Sequence, residues 1–130
     1  MGEGPYFTFH RPYHLTSLEV PLTCARVVLY GKAGMVPLAK PSAEVAAIAK
    51  KDMMPGDTLD AIGEFCYLAW IMTAADAREA GAVPCGLLHK AKVIKTIAKG
   101  QLITTANVQV PADSKIAELR ARQDKVVYGT

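Results

Sequence analysis

The residues best equipped for chemistry gather near the N-terminus. Arg11, Tyr13 and His14 stand just ahead of an apolar segment that carries Glu19. A guanidinium offers a two-pronged fork to carboxylate or phosphate, and a helix N-terminus favours anions. Arg11, Tyr13, His14 and Glu19 are therefore the candidate anion or substrate-binding residues, although aromatic and basic residues in this place also serve simply to staple a helix down. His10 and His14 are four apart, a spacing that holds a metal on a helix. Pro12 lies between them and no third ligand follows at suitable spacing, so no metal site is expected. Cys24, Cys66 and Cys85 make an odd count without a C-x-x-C pair, which argues against a disulfide framework or a zinc site. Each lies in apolar sequence and is expected to act as a small hydrophobe. Cys85, beside Gly86, has no basic neighbour in sequence to activate it. The serines and threonines lack a G-x-S-x-G context. Asp57 and Asp60 flank a turn, where backbone capping accounts for them. No catalytic residue is expected in this chain.

The elements that would position these groups begin with a lead-in rich in glycine, proline and aromatics over 1–14. Thr16 and Glu19 match a capping box, and a helix is expected over 17–30. Leu18, Leu22, Ala25 and Leu29 form one stripe, and Val20, Pro21, Cys24, Val27 and Val28 make most of the remainder apolar. Such a helix is normally covered on several sides, so it is expected to be an interface helix. Gly31 is its natural C-cap. Residues 32–42 read as a loop. Short strands follow, then a buried strand over 65–72 rich in β-prone residues. Thr73 caps a short helix over 74–80 that ends at Gly81. Strands return over 92–109. Asp113 or Ser114 caps a last helix, in which Ile116, Leu119, Gln123 and Val126 share a face and Glu118 and Arg122 pair on the outside.

Composition narrows the class. The chain has 130 residues, 51% hydrophobic and 21% charged, enough for one core without disulfides. Its net charge of +3 is small, and Lys90, Lys92, Lys95 and Lys99 read as a solvated strand face, so no nucleic-acid partner is expected. No secretory signal and no run of membrane-spanning length is apparent. A soluble, cytoplasmic protein is the expectation.

Two stretches repeat at one offset. Lys51 to Gly56 reads K-D-M-M-P-G and Lys95 to Gly100 reads K-T-I-A-K-G, 44 positions on. Gly56 and Gly100 are therefore expected to be structural turns in equivalent hairpins, each covering the other's apolar face.

The run from Ala49 to Gly63, A-K-K-D-M-M-P-G-D-T-L-D-A-I-G, resembles the A-K-R-D-L-x-x-G-x-x-L-D-x-I-G run of SAF domains, which have the β-clip fold. More closely, the chain resembles the C-terminal region of NAD(P)-dependent, homoserine-dehydrogenase-like oxidoreductases, including reductoisomerase-like enzymes that act on deoxyxylulose phosphate. Arg-Pro-Tyr-His-Leu at 11–15 with Glu19-Val20-Pro21, Pro84-Cys85-Gly86-Leu87, and Ala98-Lys99-Gly100 with Val108 carry this likeness along nearly the whole chain. The stretch Glu64 and 66–72 departs from it, being poorer in glycine and tyrosine.

The resemblance implies a mainly β, α+β architecture: a β-clip, SAF-type half-barrel with an N-terminal interface helix and a C-terminal helix. Residues 1–42 would belong to a preceding or interface region and 43–130 to the clip. It implies a non-catalytic module of an NAD(P)-dependent oxidoreductase, contributing to the substrate cleft or the oligomer interface. The alternative is a stand-alone clip that binds a sugar acid or a protein partner. No G-x-G-x-x-G follows a strand here, so no cofactor is expected in the chain itself, and NAD(P) is implied only for a full-length parent. Arg11, Tyr13, His14 and Glu19 would bind substrate only within that parent. The partners implied are its Rossmann catalytic domain or a second copy of the chain.

Overall fold

The computed structural model describes residues 8, 10, 12 and 15–129. They belong to two units, Met1–Pro37 and Leu38–Thr130. The first unit is built on α1, Thr16–Tyr30. Its N-cap is Leu15, not Thr16, because the Leu15 carbonyl accepts from the N–H groups of both Leu18 and Glu19. Leucine has no side-chain oxygen to cap with, so the expected capping box is not formed. Gly31 ends the helix as expected, in the left-handed conformation at φ 60°, with its N–H bonded to the Val27 carbonyl. No residue of α1 is buried, and Leu18, Leu22, Val28 and Leu29 are all exposed.

The second unit starts with two antiparallel strands, β1 (Ala43–Ala49) and β2 (Tyr67–Thr73), in register from Ala43 opposite Thr73 to Ala49 opposite Tyr67. Asp60 ties the loop between them, accepting hydrogen bonds from the Phe65 N–H at 2.8 Å and the Cys66 N–H at 3.0 Å. Thr73 then caps α2, Ala74–Glu79, its hydroxyl oxygen accepting from the Asp76 N–H at 3.1 Å. A single 3-10 turn, Cys85–Leu87, leads to β3 (Lys92–Val93), which pairs antiparallel with β4 (Val108–Gln109). Ser114 caps α3, Lys115–Tyr128. Among the described residues this is an α+β arrangement of two small antiparallel sheets and three helices. Regular strand is scarcer over 92–109 than the sequence predicts. Much of the pairing there is made by isolated bridges.

Those bridges follow the repeat. Residues 47–59 and 91–103 exchange hydrogen bonds as a two-fold pair, each backbone–backbone bond having a counterpart displaced by 44 positions. Met53 and Ile97 bond each other reciprocally, at 2.8 and 2.9 Å. The Gly56 N–H bonds the Val93 carbonyl, and the Gly100 N–H bonds the Ala49 carbonyl. Ala49 donates to Gln101 and Val93 to Asp57; Leu59 donates to Ala91 and Ile103 to Ala47. Gly56 and Gly100 both sit at positive φ, 97° and 83°, in turns closed by Asp57 N–H to Met54 and Gln101 N–H to Ala98. The expected equivalence of the two glycines holds. The expected hairpins do not: the arms of each turn pair with the opposite repeat, so the two repeats interlock instead of stacking face to face.

The core lies on this axis. Met53, Ile97, Ala47, Ala91, Leu59, Ile103, Ala49 and Val93 are buried in matching pairs, joined by Tyr67, Val83 and Leu88. Burying each of the larger aliphatic side chains contributes roughly 1.5–3 kcal/mol.

Three expectations about β2 and α3 are corrected. The strand near 65–72 exists, but only Tyr67 of β2 is buried; Phe65, Leu68, Trp70 and Ile71 are exposed. The reason is position, since β2 lies at the sheet margin and only its first residue reaches the core. In α3 the half-buried residues are Ala117, Arg120, Asp124, Val127 and Tyr128, while Ile116, Leu119 and Val126 are exposed. The inward face is held by ion pairs instead of by the aliphatic stripe. Glu118 pairs with Lys115 at 2.7 Å, not with Arg122.

Candidate functional site

The Leu38–Thr130 unit contains a cavity of about 250 Å³ lined by residues of α2, α3, the 3-10 turn and the start of β1. Its polar groups come from α2, α3, β1 and the segment before β4. Arg120 and Asp124 sit one turn apart on α3, and the Arg120 Nε–H donates to the Asp124 carboxylate at 2.9 Å. The same guanidinium reaches Glu44 on β1 at 2.6 Å. Glu44 is placed by its register opposite Met72 and also accepts from the Val45 N–H at 3.1 Å. Burial alone would make the Arg120 guanidinium easier to deprotonate; the hydrogen bonds and charges of Glu44 and Asp124 outweigh this and raise its pKa. Arg78 of α2 lies over the Tyr128 ring, 4.3 Å from the centroid, a favourable cation–aromatic contact. Ala77, Val83, Leu87 and Val110 complete an apolar wall.

This arrangement holds elements together; it offers no nucleophile paired with a base. Arg120 meets two carboxylates, so its charge is compensated within the protein. The five charged or aromatic groups thereby fasten α3 to β1 and α2. Sequence reasoning missed this cluster because it turned the wrong face of α3 inward. The usable signal was the four-residue spacing of Arg120, Asp124 and Tyr128, which puts all three on one side of a helix.

The residues singled out from the sequence lie elsewhere. Arg11, Tyr13 and His14 fall outside the described residues. Glu19 is half-buried in α1, and its carbonyl accepts from the Thr23 hydroxyl at 3.0 Å. Gly56 and Gly100 belong to the interlocked repeat. Asp57 and Asp60 make the backbone-capping bonds expected of them: Asp57 accepts from the Met54 N–H at 2.8 Å. For Asp60, burial pushes the carboxyl upward, but the Phe65 and Cys66 N–H groups outweigh it and hold its pKa below the usual value. Tyr67 packs at the end of this loop, its pKa pushed up to about 12 first by burial and then by Cys85, Asp60, Cys66 and Glu64.

The cysteines differ from one another. Cys66 is buried and Cys85 half-buried against the core, as small hydrophobes, whereas Cys24 is exposed on α1, contrary to expectation. Among the described residues no three His, Cys, Asp or Glu side chains are grouped to hold a metal ion, and no helix is long and apolar enough to cross a membrane. Compared with known proteins, the chain matches no family model and no curated sequence.

Proposed function

We propose that this chain is a non-catalytic assembly module of the SAF β-clip type that serves an NAD(P)-dependent oxidoreductase. It docks against the Rossmann domain that carries the cofactor and hydride chemistry, and helps to close the substrate cleft or build the oligomer. The observation that carries the reading is α1: fifteen residues of helix, mostly apolar, with none buried. A surface of that kind gains free energy by meeting another apolar surface. The resemblance of residues 11–21, 49–63 and 84–87 to such enzymes supplies the identity of the partner. The interlocked repeat supports a clip, since two copies of one strand-turn-strand stretch form the centre of a single core.

A free-standing module binding a sugar acid is the second reading, favoured by the two arginines beside the cavity. Compensation of Arg120 by Glu44 and Asp124 leaves that site little attraction for an anion. The first reading is therefore preferred.

Two measurements test it. Calorimetric titration of NADPH and NADH into the chain is expected to give no binding, because the dinucleotide belongs to the partner domain; micromolar affinity for either overturns the reading. The genomic reading frame upstream of Met1 is expected to encode a Gly-rich βαβ unit, in frame or as a neighbouring gene. A locus without one favours the free-standing module.

A further inference from the structure

The outer edge of β2 has hydrogen-bonding groups that point away from β1. Their direction follows from the bonds at the ends of the β1–β2 pair. The Lys50 N–H donates to the Cys66 carbonyl and the Ala74 N–H donates to the Ser42 carbonyl. Because directly opposed residues alternate between bonded and non-bonded pairs, the even-numbered residues of both strands face each other. The odd-numbered residues of β1 face away, and Ala47 and Ala49 do bond the opposite repeat on that side. By the same alternation, the N–H and C=O groups of Ala69 and Ile71 face outward from β2. Among the described residues no backbone bond receives them.

Proteins usually blunt such an edge with a lysine, a proline, a bulge or a covering element. Here the strand reads Tyr67-Leu-Ala-Trp-Ile-Met-Thr73, seven residues without a charge, a proline or a glycine. Trp70 is 52% and Ile71 74% exposed. What completes an edge of unpaired N–H and C=O groups is another strand. An antiparallel strand of the same sequence meets every requirement at once: the donors and acceptors match by symmetry, and a chain of net charge +3 meets itself where it carries no charge.

We infer that β2 is a self-pairing edge, through which two copies of the chain join as an antiparallel β1–β2–β2–β1 sheet with the two-fold axis at Trp70. In that register Ala69 bonds the partner's Ile71 and Tyr67 faces the partner's Thr73, so all four outward-facing residues are opposed. The two Trp70 side chains then lie opposite each other in the close, non-bonded pair, on the face that carries Leu68 and Ile48. The inference stands on hydrogen-bond direction and strand composition, independently of the oxidoreductase reading.

Trp70 is the chain's only tryptophan, which makes it the reporter. Fluorescence and light scattering of the full chain are followed from low micromolar to near-millimolar concentration. The expected result is a shift of Trp70 emission to shorter wavelength as the mass doubles. Both changes are expected to vanish in Ile71→Lys, which places two like charges near the axis while replacing an exposed side chain. Should that variant fail to fold, hydrogen exchange on the unaltered chain decides: the Ala69 and Ile71 amides are expected to become protected with rising concentration. Association with Trp70 emission unchanged and these amides unprotected overturns edge pairing and leaves helix docking standing. A chain that stays monomeric throughout overturns it as well.

Discussion

Asp57 and Gln101 perform the same task at equivalent places. Each closes its turn by accepting a backbone N–H three residues back, from Met54 and Ala98 at 2.8 and 3.0 Å. The one asymmetry between the turns has a simple cause. Lys99 has an N–H that needs an acceptor, and the Asp52 carboxylate supplies it at 2.7 Å; its counterpart is Pro55, which has no N–H to satisfy. Gly56 and Gly100 have no atom within 4 Å of an added Cβ, so a substitution there is resisted by backbone conformation alone. Gly56→Val and Gly100→Val are each expected to cost about 1–3 kcal/mol in urea unfolding, and Gly100→Asn less, since asparagine tolerates positive φ. Equal tolerance of valine and asparagine would contradict this. Tyr67 contributes to the alkaline fall in stability. Its folded pKa of about 12 lies above the ordinary 10.0, so the stability it contributes is complete below pH 10 and is lost as pH rises toward 12. At about 1.4 kcal/mol per unit this amounts to roughly 2–3 kcal/mol. Tyr67→Phe, which cannot titrate, is expected to flatten the alkaline fall in unfolding free energy and to cost about 1 kcal/mol at pH 7 for the hydrogen bond the Tyr67 hydroxyl donates to the Asp60 carbonyl. Asp60 has the opposite sign: its depressed pKa stabilises the fold above the ordinary carboxylate value, and that contribution disappears as pH falls through the folded pKa.

Among the elements, α3 separates what a sequence discloses from what it hides. A cap at Asp113 or Ser114 was legible, because either side chain just before a run of helix formers can accept from its first N–H groups, and Ser114 is the one that does. So were Thr73 ahead of α2, Gly31 behind α1, and the two glycines of the repeat. The inward face of α3 was not. Periodicity assigned it to Ile116, Leu119 and Val126, whereas Arg120 and Asp124 face inward. Apolar spacing identifies a face that wants cover without saying which neighbour supplies it, and here Glu44, some 76 positions earlier in the chain, decides the orientation. The β2 strand misled in the same way, since β-prone residues mark a strand but not its place at an edge. The orientation of α3 can be tested by removing either end of the ion pair. Glu44→Gln keeps a hydrogen-bond acceptor and is expected to cost about 1 kcal/mol. Arg120→Met leaves Glu44 and Asp124 partly buried and uncompensated, and is expected to cost about 2–3 kcal/mol and to speed hydrogen exchange across 115–128. If the two variants lose the same stability by thermal unfolding, the guanidinium is not what holds the helix.

For the whole molecule, the decisive feature is how much apolar surface the chain leaves outside its own core. In α1, Leu18, Leu22, Val28 and Leu29 are all more than half exposed, and α3 adds Ile116, Leu119 and Val126. The core of the second unit is built from 47–59 and 91–103 together with Cys66, Tyr67, Val83, Leu88 and Val108. Because Leu22 and Leu29 are exposed, replacing both by glutamate is expected to leave the unfolding free energy of the second unit within about 0.5 kcal/mol, the range of ordinary surface substitutions. The same change sets two like charges on an apolar helix and is expected to abolish whatever association α1 drives, read as a fall in mass by light scattering at high concentration. Because β2 is untouched, any dimer that remains should keep the Trp70 emission shift, which separates the two surfaces in one sample. Cooperative loss of the whole fold in Leu22→Glu/Leu29→Glu would place α1 in the core of the domain and remove the basis for assigning it to a partner.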